Sequence, residues 1–185
     1  MRPSLFFGLL LIPAVALAIK DPPVDDDHWS KKYDGLFRKY SKHYFGPHVD
    51  WKWFKSQAIA ESNLKPAARS PTGALGIMQI LPSTFREIKK QNPYVVDIKT
   101  PRWNIAAGIY YDRQMYLRWG NRGLPTEERL AFAFGSYNAG FGGVRRAWKK
   151  ASGSHENISK WEQVAPHAPR ETRRYVKRIR GLMRK

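Results

Sequence analysis

Glu61 is a carboxylate in unusual surroundings. It lies three residues after Ala58 and seven after Phe54, so on a helix it shares an apolar stripe. It also falls near that helix's C-terminal end, where the dipole opposes a negative charge by about 0.3–1 kcal/mol. That moves a pKa by less than one unit, so burial must supply the rest if a carboxyl of ordinary pKa about 4.3 is to act as a general acid near 6. Read alone, the position fits a boundary residue in a salt bridge better than a catalyst. Between Ser70 and Gln79, Gly73 and Gly76 suggest backbone running close to something. Met78 could form an apolar wall there, and Gln79 could both donate and accept. A plain turn with Met78 in the core fits that segment as well. Asn138 and Gly140 are poor choices inside an apolar helix, so either Gly140 ends the helix or something beyond propensity selected them. Glu171 and Tyr175 are four apart and share one helix face.

Helices must position these groups. Asp50 can cap a helix with Trp51, Phe54, Ala58 and Ile59 on its stripe, ending near Asn63 because Pro66 follows. A second starts near Pro82, with Thr84 and Glu87 at capping-box spacing. A third runs from about Pro101 to Trp119, with Ile105, Ile109, Asp112 and Tyr116 in line. A fourth begins at Thr126, with Glu127 and Glu128 at its positive end, and carries Leu130, Phe134 and Tyr137. A fifth follows Gly140, Gly142 and Gly143 and holds Val144 and Trp148. The last runs from about Arg170, with Tyr175, Ile179 and Leu182 on one side. The class is mostly α, with a short β-hairpin near Gly73–Ile80.

Four segments in this order resemble the motif series of Slt-type lytic transglycosylases. They are Glu61-Ser62, Gly76-Ile77-Met78-Gln79, Tyr137-Asn138-Ala139-Gly140 and Glu171-Thr172-Arg173-Arg174-Tyr175-Val176. Pro101, Asn104-Ile105 and Gly108 match the intervening helix, and the resemblance spans about Trp51–Arg180. Two departures are Ser136, where the family commonly has Ala, and Phe141, where it often has Pro. They bear on loop shape, not on reactive groups.

The resemblance implies a lysozyme-like helical fold. It also implies cleavage of the β-1,4 bond between N-acetylmuramic acid and N-acetylglucosamine in peptidoglycan, leaving a 1,6-anhydromuramoyl end. Glu61 would be the single catalytic acid/base. Ser62, Ser70, Met78, Gln79, Tyr137, Asn138, Glu171 and Tyr175 would contact the glycan or the glutamate, with Tyr137 orienting Glu61 by a hydrogen bond. No cofactor is implied. Ordinary glycosidases use two carboxylates. Asp50 lies eleven residues before Glu61, about 16 Å by helical rise, too far to be the second. The alternatives are a goose-type lysozyme, in which water attacks, and a non-catalytic cationic protein that binds the wall or nucleic acid.

Composition bounds these readings. The chain has 185 residues, 42% hydrophobic and 14% aromatic, which is a globular composition. The absence of cysteine excludes disulfides, thiolate zinc sites and a cysteine nucleophile. His28, His43, His48, His155 and His167 are scattered, without metalloenzyme spacing. Arg2 precedes an uncharged run from Leu5 to Ile19 that contains Ala16-Leu17-Ala18, so residues 1–18 read as a secretory signal. Residues 19–28 read as a solvated acidic linker, and 29–185 as the catalytic domain. The expected compartment is the periplasm, with peripheral membrane association as a variant. The formal charge of +18 calls for anionic surroundings. Peptidoglycan strands come first, with an anionic membrane or wall polymer, and a secretion-machinery partner, as further options. No motif for reading specific nucleic acid is present. Trp103, Trp119 and Trp161 could be core residues or sugar platforms.

Overall fold

The computed structural model describes residues 21–184. The expected signal, residues 1–18, lies outside them. The chain forms seven α-helices: α1 (Asp34–Phe45), α2 (Lys52–Ser62), α3 (Pro82–Gln91), α4 (Pro101–Arg118), α5 (Thr126–Ala151), the single turn α6 (Trp161–Val164) and α7 (Arg170–Leu182). Helix α2 is wrapped on several sides: every residue from Trp53 to Ile59 is buried, including Lys55, Ser56 and Gln57. The one-sided stripe expected from sequence is therefore too narrow. Helices α1 and α7 pack directly on α2, while α4 lies against α1 and α5. The buried Lys55 ammonium is neutralised by Asp34, 2.8 Å away. Asp50 accepts the Lys52 N–H at 2.9 Å, and α2 ends at Asn63 in the left-handed conformation.

Helix α3 starts at Pro82, three residues earlier than a Thr84–Glu87 capping box would place it. Pro82 occupies its first turn, Leu81 precedes it without a side-chain cap, and Glu87 pairs with Lys90 instead of with Thr84. Helix α1 had no distinct signal in the sequence beyond the aromatic character that begins near Trp29. The acidic segment before it is not wholly solvated either. Val24 is buried in the core, and its N–H bonds the Leu182 carbonyl at 3.1 Å.

The expected hairpin is reduced to isolated bridges, Arg69 with Leu75 and Leu75 with Ile80. Asn104 of α4 holds this loop. Its Nδ2 donates to the Leu75 and Ile98 carbonyls at 2.9 and 3.0 Å, and its Oδ1 accepts the Met78 N–H at 2.7 Å. Gly76 has φ +76°, and a Cβ there would lie 2.5 Å from Asn104 Nδ2. That is the expected close approach, made at Gly76, whereas a Cβ at Gly73 would meet nothing within 4 Å.

Helix α5 is two helical lengths joined at Gly140, whose φ of 73° and ψ of 148° break the α-helical path. The kink ends the first length just beyond Tyr137 and Asn138. Both departures from the family pattern are explained by Trp119. Its indole N–H donates to buried Ser136 Oγ at 2.9 Å, and Phe141 packs on the same ring with centroids 5.3 Å apart. An alanine at 136 would leave that N–H unmet. Trp119 and Trp161 are core residues, while Trp103 is partly buried against Arg102. No helix among the described residues is long and apolar enough to cross a membrane.

Candidate active site

A cleft of about 560 Å³ opens where the end of α2, the 70–81 loop, the kinked α5 and the face of α7 meet. Such a volume suits a ligand of a few rings, roughly 300–1,000 Å³ being usual. Glu61 reaches it from α2, Ser70 and Gln79 from the loop, Tyr137 and Asn138 from α5, and Glu171 and Tyr175 from α7. Seven residues singled out in the sequence thus converge. Ser62 and Met78 do not. Ser62 Oγ donates to the Ile77 carbonyl at 2.8 Å, which ties α2 to the loop. Met78 is fully buried, so the core reading of its side chain holds. Both residues support the cleft from behind.

The Glu61 carboxyl is pushed from an ordinary value of 4.5 up to about 7. Burial away from water is the main cause. The Tyr175 hydroxyl, donating to Oε1 at 2.6 Å, opposes it by favouring the charged form. The Glu171 carboxylate adds to the rise by repulsion. Glu171 is exposed and is not within ion-pair distance of Arg174.

The phenol that orients Glu61 is Tyr175, where Tyr137 was expected. Tyr137 instead donates to the Met78 carbonyl at 2.7 Å and packs edge-on against Tyr111. It pins the loop whose Leu75 carbonyl and Met78 N–H Asn104 holds from the other side. Gln79 commits its amide N–H₂ to the Ala68 and Gly76 carbonyls at 3.2 and 2.9 Å, leaving Oε1 as its uncommitted acceptor. Asn138 Oδ1 accepts the Thr172 hydroxyl at 2.7 Å, joining α5 to α7.

Backbone strain gathers here. The non-glycine residues with positive φ among those described are Asn63, Leu64 and Gln79, at 52°, 61° and 46°. All three flank Glu61 or line its cleft, which is where strain is commonly stored.

Two cleft-lining groups, Arg174 and Arg178, and one buried carboxyl in the core, Asp112, were missed. Asp112 was read only as part of an apolar line. It is completely buried, accepts from Gln57 Nε2 at 3.1 Å, and burial holds its proton affinity well above that of an ordinary carboxyl. Asp in an apolar i, i+4 series was its signal. Arg174 and Arg178 line the cleft one and two turns beyond Glu171. Their spacing from Glu171, three and seven residues on, could have placed them.

The arrangement offers one buried acid that titrates near neutrality, a phenol fixed on it, and a polar wall able to hold hydroxyl and amide groups. The Transglycosylase SLT domain family pattern matches residues 37–160, a span that stops before α7. The Membrane-bound lytic murein transglycosylase F of Shewanella pealeana is 32% identical over 155 residues, covering 83% of this chain and 30% of that protein. Its counterpart from Vibrio campbellii is 31% identical over 162 residues, covering 85% and 28%. Among solved structures, the 70 kDa soluble lytic transglycosylase of Escherichia coli matches with a TM-score of 0.65 and 28% identity, covering 82% of this chain and 23% of that one. An inactive mutant of the lytic transglycosylase Slt of Pseudomonas aeruginosa matches with a TM-score of 0.66 at 22% identity, a likeness of fold. The chain spans under a third of the length of these curated relatives.

Proposed function

The chain belongs to the Transglycosylase SLT domain family, and on that premise we propose that it is a peptidoglycan lytic transglycosylase with Glu61 as its single acid/base. The observation that carries the reading is the Glu61 carboxyl, buried to a pKa of about 7 and held by Tyr175 at 2.6 Å. Near neutral pH such a group is present in both forms, as a residue that must first give and then take a proton requires. The carboxyl gives its proton to the glycosidic oxygen as the bond to the muramoyl C1 breaks, and N-acetylglucosamine leaves as the alcohol. The substrate's N-acetyl group stabilises the cationic centre. The Glu61 carboxylate, stabilised by the Tyr175 hydroxyl, then takes the proton of the muramoyl C6 hydroxyl as that oxygen bonds to C1. Gln79, Asn138 and Ser70 supply hydrogen bonds to the sugar amides and hydroxyls.

Support for the substrate comes from the relatives' names and from a complex of the 70-kDa soluble lytic transglycosylase with bulgecin A, whose protein aligns over 80% of this chain at 28% identity. The run at residues 1–18 and the word membrane-bound in the relatives' names support the periplasm as the compartment. The test is mass spectrometry of fragments released from purified sacculi. Products one water lighter than hydrolysis products, absent with Glu61→Gln, are expected. Products with reducing muramic ends would make water the nucleophile and the protein a lysozyme.

A further inference from the structure

We propose that the turn between α3 and α4 docks on an anionic bilayer, with Tyr94 and Val96 entering the headgroup layer and the lysines around them meeting lipid phosphates. The proposal does not depend on the chemistry at Glu61. Among the described residues four large hydrophobic side chains stay exposed, Leu81, Tyr94, Val96 and Leu117. Leu81 belongs to the catalytic cleft. A single exposed apolar residue is ordinary at any protein surface. Tyr94 and Val96 differ in sharing one short loop, where they are 82% and 53% exposed. The backbone keeps them there. The Val95 N–H bonds the Asn92 carbonyl at 3.1 Å, closing a turn with Pro93 and Tyr94 at its tip. Val95 is buried in the core between its two exposed neighbours. Asn92 Nδ2 donates to the Tyr44 hydroxyl at 2.7 Å, and Asn104 holds the Ile98 carbonyl at 3.0 Å, so the loop is pinned at both ends. A tip held in this way costs little to order on binding.

The charges around the tip are mostly positive. Lys89 and Lys90 are exposed in the last turn of α3, and Lys99 is exposed just beyond Val96. Exposed Arg102 lies by the Tyr40 hydroxyl at 3.1 Å. Of the two acids in this stretch, Glu87 pairs with Lys90, and Asp97 Oδ1 accepts the Lys99 backbone N–H at 2.9 Å. The Lys89 and Lys99 ammonium groups make no hydrogen bond or ion pair among the described residues. Lysine beside tyrosine separates a bilayer from other occupants. Protein interfaces are depleted in lysine. At a membrane surface its stem lies along apolar groups while the ammonium stays in water, and each such cation gains from anionic lipid. Tyrosine is enriched at the same depth. A glycan strand needs a groove, and neither Tyr94 nor Val96 lines the catalytic cleft.

The test is a partition titration of the exported protein on vesicles of phosphatidylethanolamine with phosphatidylglycerol, and on vesicles of phosphatidylcholine alone. Binding to the anionic vesicles is expected. Tyr94→Ser/Val96→Ser should weaken it about tenfold through lost apolar contact, with the urea-unfolding curve unchanged because both side chains are exposed. Tyr94→Trp should bind as well or better, since tryptophan suits the same layer. Lys89→Gln/Lys90→Gln should also weaken binding about tenfold. Lys149→Gln/Lys150→Gln, an equal loss of charge at the exposed end of α5, should weaken it less than about threefold, because salt screens charges away from the docked face. No binding to anionic vesicles, or equal binding to neutral ones, would overturn the proposal. So would equal losses from the two lysine pairs, which would mean charge alone with no chosen face. A Tyr94-dependent dimer in sedimentation would assign the turn to a second copy. Tyr94-dependent retention on sacculi, with vesicle binding unaltered, would assign it to the wall, and either result overturns docking on lipid. Absence of anhydro products would sink the transglycosylase and leave this proposal standing.

Discussion

The Tyr175 hydroxyl sits 2.6 Å from Glu61 Oε1 although 114 residues separate the two in the chain. It is the one hydrogen bond that favours the charged form of a carboxyl which burial and Glu171 both push toward neutrality. Tyr175→Phe removes it and should raise Glu61 further above 7. The first step needs the protonated acid, so the alkaline limb of kcat against pH should move about one pH unit upward, with kcat down about tenfold. Tyr137→Phe frees the Met78 carbonyl instead. It should lower activity through the loop and leave the limb where it is. Equal displacement in both variants would refute the division of labour.

Much of this site was legible because chemistry and spacing coincided. Glu61, Gln79, Tyr137, Asn138, Glu171 and Tyr175 sit in short motifs, and the i, i+4 relation of Glu171 and Tyr175 placed them on one face correctly. What failed were partnerships across the fold. A helical period cannot tell which of two tyrosines from different helices meets a carboxylate. Nor can it show that α2 is buried on several sides, because the partners that let Lys55 and Gln57 be buried, Asp34 and Asp112, come from α1 and α4. The hairpin shrank to isolated bridges because beyond the Leu75–Ile80 pair the backbone bonds go elsewhere, the Gly76 N–H to the Ala68 carbonyl and the Met78 N–H to Asn104.

Glu61 should also cost stability at high pH. Its pKa is about 7 folded against an ordinary 4.5, so between these values the native state binds more protons than the unfolded one. Stability is then full below about 4.5 and falls as pH rises through 7. Glu61→Gln abolishes that loss and should be more stable than the wild type by about 2 kcal/mol at pH 8, with a much smaller difference at pH 4.5. Urea unfolding at the two pH values measures it. A constant difference would mean that Glu61 is not held neutral by the fold.

Asp112 and Gln57 form a second buried carboxyl contact. Gln57 Nε2 donates to Asp112 Oδ1, while Asp112 Oδ2 and Gln57 Oε1 are both buried without partners. Burial raises the proton affinity of this carboxyl well above the ordinary value, so its protonated form is favoured. Asp112→Asn retains a donor on that side and should cost under about 1 kcal/mol, whereas Asp112→Ala strands Gln57 and should cost about 2–4 kcal/mol. The raised pKa again means stability lost with rising pH, so the Asn variant should gain on the wild type in alkali. Unfolding curves showing Asn as damaging as Ala would contradict a neutral Asp112.

Asn104 carries the loop that carries Gln79. Its amide meets the Leu75 and Ile98 carbonyls and the Met78 N–H at 2.7–3.0 Å, and Gly76 is packed so close that even a methyl there would strike it. Asn104→Leu preserves bulk but leaves three backbone groups unmet, at about 1–3 kcal/mol for each that water cannot reach. The melting temperature should therefore drop by more than about 5 °C, as a loss of this size does in a domain of this length. The chemical consequence should be selective. Tyr175 and Glu61 belong to α7 and α2, so the alkaline limb of the pH profile should stay in place. KM for glycan strands should rise as Gln79 loses its fixed position. A displaced limb with unchanged KM would show that the loop governs the acid and not the wall that binds the sugar.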